Sequence, residues 1–66
     1  MLEDIRNVLK NVADIFELNI TIPEELEGKI TIKAVDATWH EIFEMALTPF
    51  GYTFRDENRI IAIVRN

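Results

Sequence analysis

The sequence contains no cysteine, no serine and a single histidine, His40. Without cysteine the chain can form neither a disulfide bond nor a thiolate metal site, and without serine it has no serine nucleophile. Zinc sites need several ligands from the protein, so one histidine does not indicate a metal centre. The two glycines, Gly28 and Gly51, are too few for a glycine-rich phosphate loop. We therefore expect no metal, no cofactor and no catalytic site, and the chain is not predicted to be an enzyme.

Basic residues are few and scattered. Seven lysines and arginines stand against twelve aspartates and glutamates, which gives a net charge of −5. Binding to nucleic acid or to an anionic membrane surface depends on clustered basic residues, so neither partner is predicted. The longest apolar run, Ile60 to Val64, is far too short to span a membrane, and no secretory leader precedes the domain. The chain is thus expected to be either cytoplasmic or part of a longer, processed protein.

The chain predicts one small domain, residues 1–66, that opens with a helix. Apolar residues recur at helical spacing at Leu2, Ile5, Val8, Leu9, Val12, Ile15 and Phe16. They cover an arc of roughly 160°, wider than the stripe of a one-sided surface helix, so we expect two surfaces to cover it. Glu3 and Asp4 are placed in the first turn. Because no capping residue precedes them, the helix is expected to begin where the chain begins, with something upstream cut away.

Two strands and an acidic turn follow the first helix. Residues 19–22 alternate polar and apolar side chains, and Pro23 ends this strand because it cannot donate a ladder hydrogen bond. Residues 29–34 alternate in the same way. The acidic turn between them, residues 24–28, closes on Gly28. We expect this turn to be solvated, and a recognition loop for a basic partner is the alternative.

A second helix is indicated by a capping box, in which Thr38 and Glu41 each satisfy a free backbone donor of the other. Its apolar face consists of Trp39, Ile42, Phe43, Ala46 and Leu47. His40 falls at the margin of that face, as a boundary histidine. Pro49 is expected to end the helix by Thr48.

The chain ends in a predicted hairpin. A three-residue loop would place Arg55 opposite Arg59, which is unfavourable, whereas a two-residue loop at Glu57-Asn58 pairs Phe54 with Ile61. We favour the second register. It gathers Tyr52, Phe54, Ile61 and Ile63 on one face, and it places Ile60, Ala62 and Val64 on the other. The last strand is then apolar on both sides, so either a second layer covers its far face or that face awaits a partner.

Short runs of residues spread along the chain carry a family resemblance. They are Asp4-Ile5-Arg6-Asn7-Val8-Leu9, Leu18-Asn19-Ile20, Gly28-Lys29-Ile30-Thr31-Ile32, Trp39 with Ile42, and Tyr52 with Asn58-Arg59-Ile60-Ile61-Ala62-Ile63. Together they resemble the short N-terminal (STN) domain of secretins and TonB-dependent receptors, and the helix opening on Trp39 is most similar to the periplasmic domain of type IV pilus secretins. The resemblance implies an α+β fold with two helices packed between a two-stranded and a three-stranded sheet. The element order is α-β-β-α-β-β, with the family's first strand missing.

The resemblance also implies a function. The chain is expected to be a non-catalytic, periplasmic protein–protein interaction module of an outer-membrane secretin channel of the type IV pilus or type II secretion class. Its partners would be other secretin subunits and periplasmic or inner-membrane secretion or pilus proteins. One alternative is the signalling domain of a TonB-dependent receptor that binds an inner-membrane regulator. Another is a free-standing cytoplasmic adaptor.

Contact surfaces are predicted at the last strand and at one sheet edge. The candidate residues are Lys29, Thr31, Lys33, Ile60, Ala62 and Val64. A missing first strand would leave an edge near Lys29 to Lys33 unpaired, and unpaired edges recruit other strands. We therefore also expect self-association of this chain, or replacement of the missing strand by another segment.

Overall fold

The fold combines two helices with short strands arranged in two sheets. The computed structural model describes residues 2–33 and 35–66. In chain order the elements are β1 (Glu3–Asp4), α1 (Ile5–Ile15), β2 (Asn19–Thr21), β3 (Lys29–Ile30), α2 (Trp39–Leu47), a 3₁₀ turn (Thr48–Phe50), β4 (Tyr52–Glu57) and β5 (Ile60–Arg65). The predicted α+β class and the order of its six elements are confirmed. A two-residue strand, β1, is added in front of α1.

The start of α1 differs from the sequence prediction. Glu3 and Asp4 form β1, which pairs antiparallel with β3 and places Asp4 opposite Lys29. The helix begins at Ile5, and Asp4 is its N-cap, because the Asp4 carboxylate accepts a hydrogen bond of 2.9 Å from the backbone N–H of Arg6. An aspartate cap stabilises a helix both through this bond and through its charge at the positive end of the dipole. Glu3 and Asp4 therefore form a strand, and Asp4 also caps the helix.

The wide apolar arc of α1 is covered only in part. Its buried residues are Ile5, Leu9, Val12 and Ala13. Ile15 is 75% exposed and Phe16 43% exposed, so the expectation that two surfaces cover the whole arc is wrong at this end. There the chain turns away through Glu17 (φ 56°), and the N–H of Leu18 donates to the Ala13 carbonyl at 2.7 Å.

The second helix forms as its local sequence predicts. The Thr38 hydroxyl accepts from the Glu41 N–H at 3.3 Å, and the Glu41 carboxylate accepts from the Thr38 N–H at 3.1 Å, which completes the capping box. The helix ends at Leu47, as expected ahead of Pro49. Phe43, Ala46 and Leu47 are buried, and Trp39 and Ile42 pack against the core beside them.

Thr38→Ala is expected to cost about 1 kcal/mol of unfolding free energy, because the Glu41 N–H then loses its acceptor at the helix end. Urea denaturation followed by circular dichroism measures this cost. Thr38→Ser keeps the hydroxyl, so it should recover most of the stability. A serine variant as unstable as the alanine variant would show that the cap contributes nothing.

The larger sheet has three strands in the order β2-β5-β4. Strand β5 lies in the centre, parallel to β2 and antiparallel to β4. The face toward the helices carries Tyr52, Phe54, Ile61 and Ile63, as predicted, and Phe43 of α2 packs edge-on against Phe54 with ring centroids 5.8 Å apart. The parallel pairing of β2 with β5 joins segments about forty residues apart in the chain. It fixes which residues flank the outer face of β5.

The hairpin register differs from the one we favoured. Glu57 pairs with Ile60 and Phe54 with Ile63, so the two-residue turn lies at Asn58-Arg59 instead of Glu57-Asn58. Asn58 (φ 41°) and Arg59 (φ 73°) both have positive φ, which is typical of a type I′ hairpin turn. Compared with the predicted register, each residue of β4 pairs with a β5 residue two positions later in the chain. A shift of two residues keeps every side chain on its predicted face.

The second strand of the smaller sheet is shorter than predicted. Strand β3 ends at Ile30, and residues 31–33 lie outside the strands of the described part of the chain. Ala34, the last residue of the predicted strand, lies outside the described residues. Ile32 still packs partly against the core. The smaller sheet thus consists of β1 and β3, two residues each.

Candidate functional site

The outer face of the three-stranded sheet carries an apolar row along its central strand. The row consists of Ile60, Ala62 and Val64, and we refer to these three residues as the outer row. They alternate with Ile61 and Ile63, which are buried on the helix side. Ile60 is 44% exposed, while Ala62 and Val64 are half-buried between their neighbours in the sheet. The structure therefore brings the three predicted residues of β5 together on one face.

Polar side chains flank the outer row on both sides. Strand pairing places Asn19 beside Ile60 and Thr21 beside Ala62 on the β2 side. On the β4 side the neighbours of Ile60, Ala62 and Val64 are Glu57, Arg55 and Thr53. An apolar centre with a polar rim is the usual anatomy of a protein–protein contact.

The other three predicted residues belong to a different part of the fold. Lys29 lies in β3, opposite Asp4, and Thr31 and Lys33 follow it as exposed residues. The structure thus divides the six candidates between the two sheets. The edge expected to be unpaired is occupied by β1 at Lys29 and Ile30. Lys29 and Ile30 therefore do not form an open edge, and the prediction of an unpaired edge is wrong for these two residues.

The acidic turn is held by two residues whose roles the sequence analysis missed. The Arg6 guanidinium donates from Nη1 to the carbonyls of Pro23 (2.7 Å) and Leu26 (3.2 Å). Leu26 is 1% exposed and belongs to the core, whereas Glu24, Glu25 and Glu27 are exposed as predicted. The sequence feature that could have indicated the role of Leu26 is that it is the single apolar residue among these glutamates. A shallow groove beside the turn is lined by Asp4, Arg6, Glu24, Glu27, Gly28 and Lys29.

Arg6→Met is expected to lower the unfolding free energy by about 1–3 kcal/mol, because the two part-buried carbonyls then lose a charged donor while most of the side-chain stem is kept. Urea denaturation is again the measurement. Lys10→Met removes the same charge from an exposed position of the same helix and should change stability by about 0.5 kcal/mol or less. Equal losses in the two variants would contradict the clamping role of Arg6.

The aromatic residues pack together at the start of α2. The His40 ring stacks on Trp39 with centroids 3.7 Å apart, and Trp39 lies 5.6 Å from both Phe43 and Phe54. His40 itself is exposed, so it covers the outer side of this cluster. Trp39, Phe43 and Phe54 are thus in contact with one another. Tyr52, the first residue of β4, pairs with Arg65 of β5. The hydrogen bond from the Arg65 side chain to Tyr52 raises the pKa of Arg65.

Metal-binding clusters and membrane-spanning helices are both absent from the described residues. Across residues 2–33 and 35–66, no three His, Cys, Asp or Glu side chains are grouped so that they could hold a metal ion. In the same part of the chain, neither helix has the length and apolar character that crossing a membrane requires.

The fold and this surface define a small α+β domain with a partly exposed apolar row on its larger sheet. No protein-family model matches the chain. A segment of the fimbrial assembly protein PilQ from Pseudomonas aeruginosa is 25% identical to it over 60 residues. The match covers 91% of this chain but 8% of that protein. The chain is therefore similar to one small part of a pilus-assembly protein.

Proposed function

We propose that the chain is a non-catalytic protein–protein interaction module of a pilus-type secretin, and that it works in the periplasm. The observation that carries this proposal is the outer row, a partly exposed apolar strip with a polar rim on a sheet that the helices cover on its other face. The similarity to PilQ supports the pilus context. Other secretin subunits and periplasmic or inner-membrane pilus proteins are the partners we propose.

The outer row supplies the driving force for such a contact. Covering the 44% of Ile60 that remains exposed contributes roughly 1–2 kcal/mol at about 25 cal/mol per Å² of apolar surface. The polar neighbours Arg55, Glu57, Asn19 and Thr21 can then set orientation through hydrogen bonds at the rim. No bond needs to be made or broken for this role.

Replacing two residues of the outer row tests the proposal. Ile60→Asp with Val64→Asp should reduce partner co-purification and the number of assembled fimbriae by about tenfold or more, because two carboxylates would have to be desolvated in the contact. Asn7→Asp with Asn11→Asp adds the same charge on exposed positions of α1 and should leave assembly unchanged.

A thermal melt of both double variants must accompany this assay, so that loss of folding is not read as loss of binding. Normal fimbriae and normal co-purification from a folded Ile60→Asp, Val64→Asp variant would overturn the proposal. The single change Ile60→Asp lies at the most exposed position of the row. It provides the same test if the double variant does not fold.

Self-association of this chain is also proposed, now on different edges. Within the described residues, β2 and β4 each pair on one side only, with β5. Open edges of this kind pair with strands of other chains. Size-exclusion chromatography with light scattering should show species larger than 7.7 kDa that increase with concentration. A monomer at every concentration would contradict this expectation.

A further inference from the structure

The outer row has a shape that can accommodate a helix. Alternate residues of a strand are about 6.6–6.8 Å apart, so Ile60 and Val64 stand on either side of Ala62. The small Ala62 side chain leaves a notch between two larger ones. A helix places a side chain on one face about every 6 Å, at positions four residues apart, so one of its apolar residues can enter this notch.

The width of the sheet also matches one helix. Three strands spaced about 4.7–4.9 Å apart place the axes of β2 and β4 about 9.5 Å from each other. A helix with its side chains is about 10–12 Å across, so a single helix lying along β5 covers the row and reaches both flanks.

The charges on the two flanks of the outer row determine which charge pattern a bound helix must carry. Arg55 lies beside Ala62 and Glu57 beside Ile60, both on the β4 side, whereas Asn19 and Thr21 on the β2 side are neutral. Arg55 and Glu57 are two residues apart along one strand, about 6.6–6.8 Å. This spacing is close to the rise of four helical residues.

We propose that the outer row receives one amphipathic helix of a partner protein, whose edge along β4 carries an acidic residue over Arg55 and a basic residue over Glu57, four positions apart. The inference rests on the proposed function, because it names the structural element that occupies the same surface. A second copy of this sheet fits less well. The sheet face measures roughly 300 Å², well below the roughly 800 Å² that each partner of a stable dimer buries.

Two synthetic peptides of about 15 residues test this proposal. Both carry an apolar stripe of leucine and alanine, and they differ only in that the Glu and Lys of one edge, four positions apart, are exchanged. Turning a peptide end for end moves its charged edge to the β2 side, so reversal cannot compensate for the exchange. The amide resonances of the ¹⁵N-labelled chain report binding and its location.

The matched peptide should shift the resonances of Ile60, Ala62 and Val64 and bind at least fivefold more tightly than the exchanged peptide. Ala62→Trp fills the notch and should weaken binding at least fivefold, although it makes the surface more apolar. Arg55→Glu with Glu57→Arg should reverse the preference between the two peptides. Arg55 and Glu57 are both exposed, so this double variant is expected to keep the fold.

The proposal is overturned if the wild-type chain binds the two peptides equally, or binds neither. It is also overturned if no peptide binds while Ala62→Trp abolishes self-association, because the occupant is then a second copy. Peptide failure together with loss of fimbriae in Ile60→Asp, Val64→Asp would remove the helix but leave the proposed function in place. If the peptide binds but fimbriae are unaffected by Ile60→Asp, Val64→Asp, the helix-binding surface stands and the proposed function is wrong.

Discussion

Gly28→Ala is expected to lower the unfolding free energy by about 3 kcal/mol or more. Gly28 has φ of +144°, a conformation that residues with a Cβ rarely adopt. An added Cβ would overlap Cε2 and lie 2.9 Å from Cζ of the Phe50 ring, which itself packs against the core. Because the ring is partly buried, moving it away from the new Cβ would disturb its packing against the core. Strain and overpacking each cost about 1–3 kcal/mol, and here they add.

A loss of this size is large for so small a domain. At about 0.05–0.15 kcal/mol per residue, a chain of 66 residues has roughly 3–10 kcal/mol of stability in total. Urea denaturation of the variant measures the change. Gly51→Ala is the matched control, because Gly51 also has positive φ (+78°) but its added Cβ would meet nothing within 4 Å. If the two variants lost the same stability, the contact with Phe50 would play no part.

Leu26→Ala is expected to cost about 2–5 kcal/mol, the range for removing a fully buried leucine. The acidic turn would lose its anchor in the core, and the bonds from Arg6 to the Pro23 and Leu26 carbonyls would then hold a mobile segment. Thermal unfolding should show the loss as a drop in Tm.

The matched control for this change is Leu2→Ala, at a position that is 63% exposed. It should alter stability by about 0.5 kcal/mol or less. A small effect at Leu26, similar to that at Leu2, would mean that the turn is not anchored as the structure shows.

Local signals predicted the parts of the fold that depend on neighbouring residues. The capping box at Thr38 and Glu41 is contained in four consecutive residues, and α2 begins where it indicates. The two faces of the hairpin were also predictable, because alternation along a strand survives an even shift of register. The turn itself was not, since Arg59 carries no strong preference for the left-handed conformation that it adopts.

Features that depend on distant residues could not be predicted. Two residues, as in β1, contain no periodic pattern, so Glu3 and Asp4 were indistinguishable from a helix start. The parallel pairing of β2 with β5 joins distant segments, and it decides that Asn19 and Thr21 flank the outer row. The apolar nature of that row was visible in the sequence. Its central position in the sheet, and which β4 residue lies beside each of its members, were visible only in the fold.

Site-specific photo-crosslinking at the rim of the outer row tests most directly whether this face binds a partner. A photoreactive amino acid at Thr21 or Thr53 leaves Ile60, Ala62 and Val64 intact, and the same group at Lys10 on α1 is the control. In cells that assemble fimbriae, we expect a discrete adduct from both rim positions, little from Lys10, and its loss when Ile60 is changed to Asp. Equal or greater crosslinking from Lys10, or an adduct that survives Ile60→Asp, would show that partners bind elsewhere.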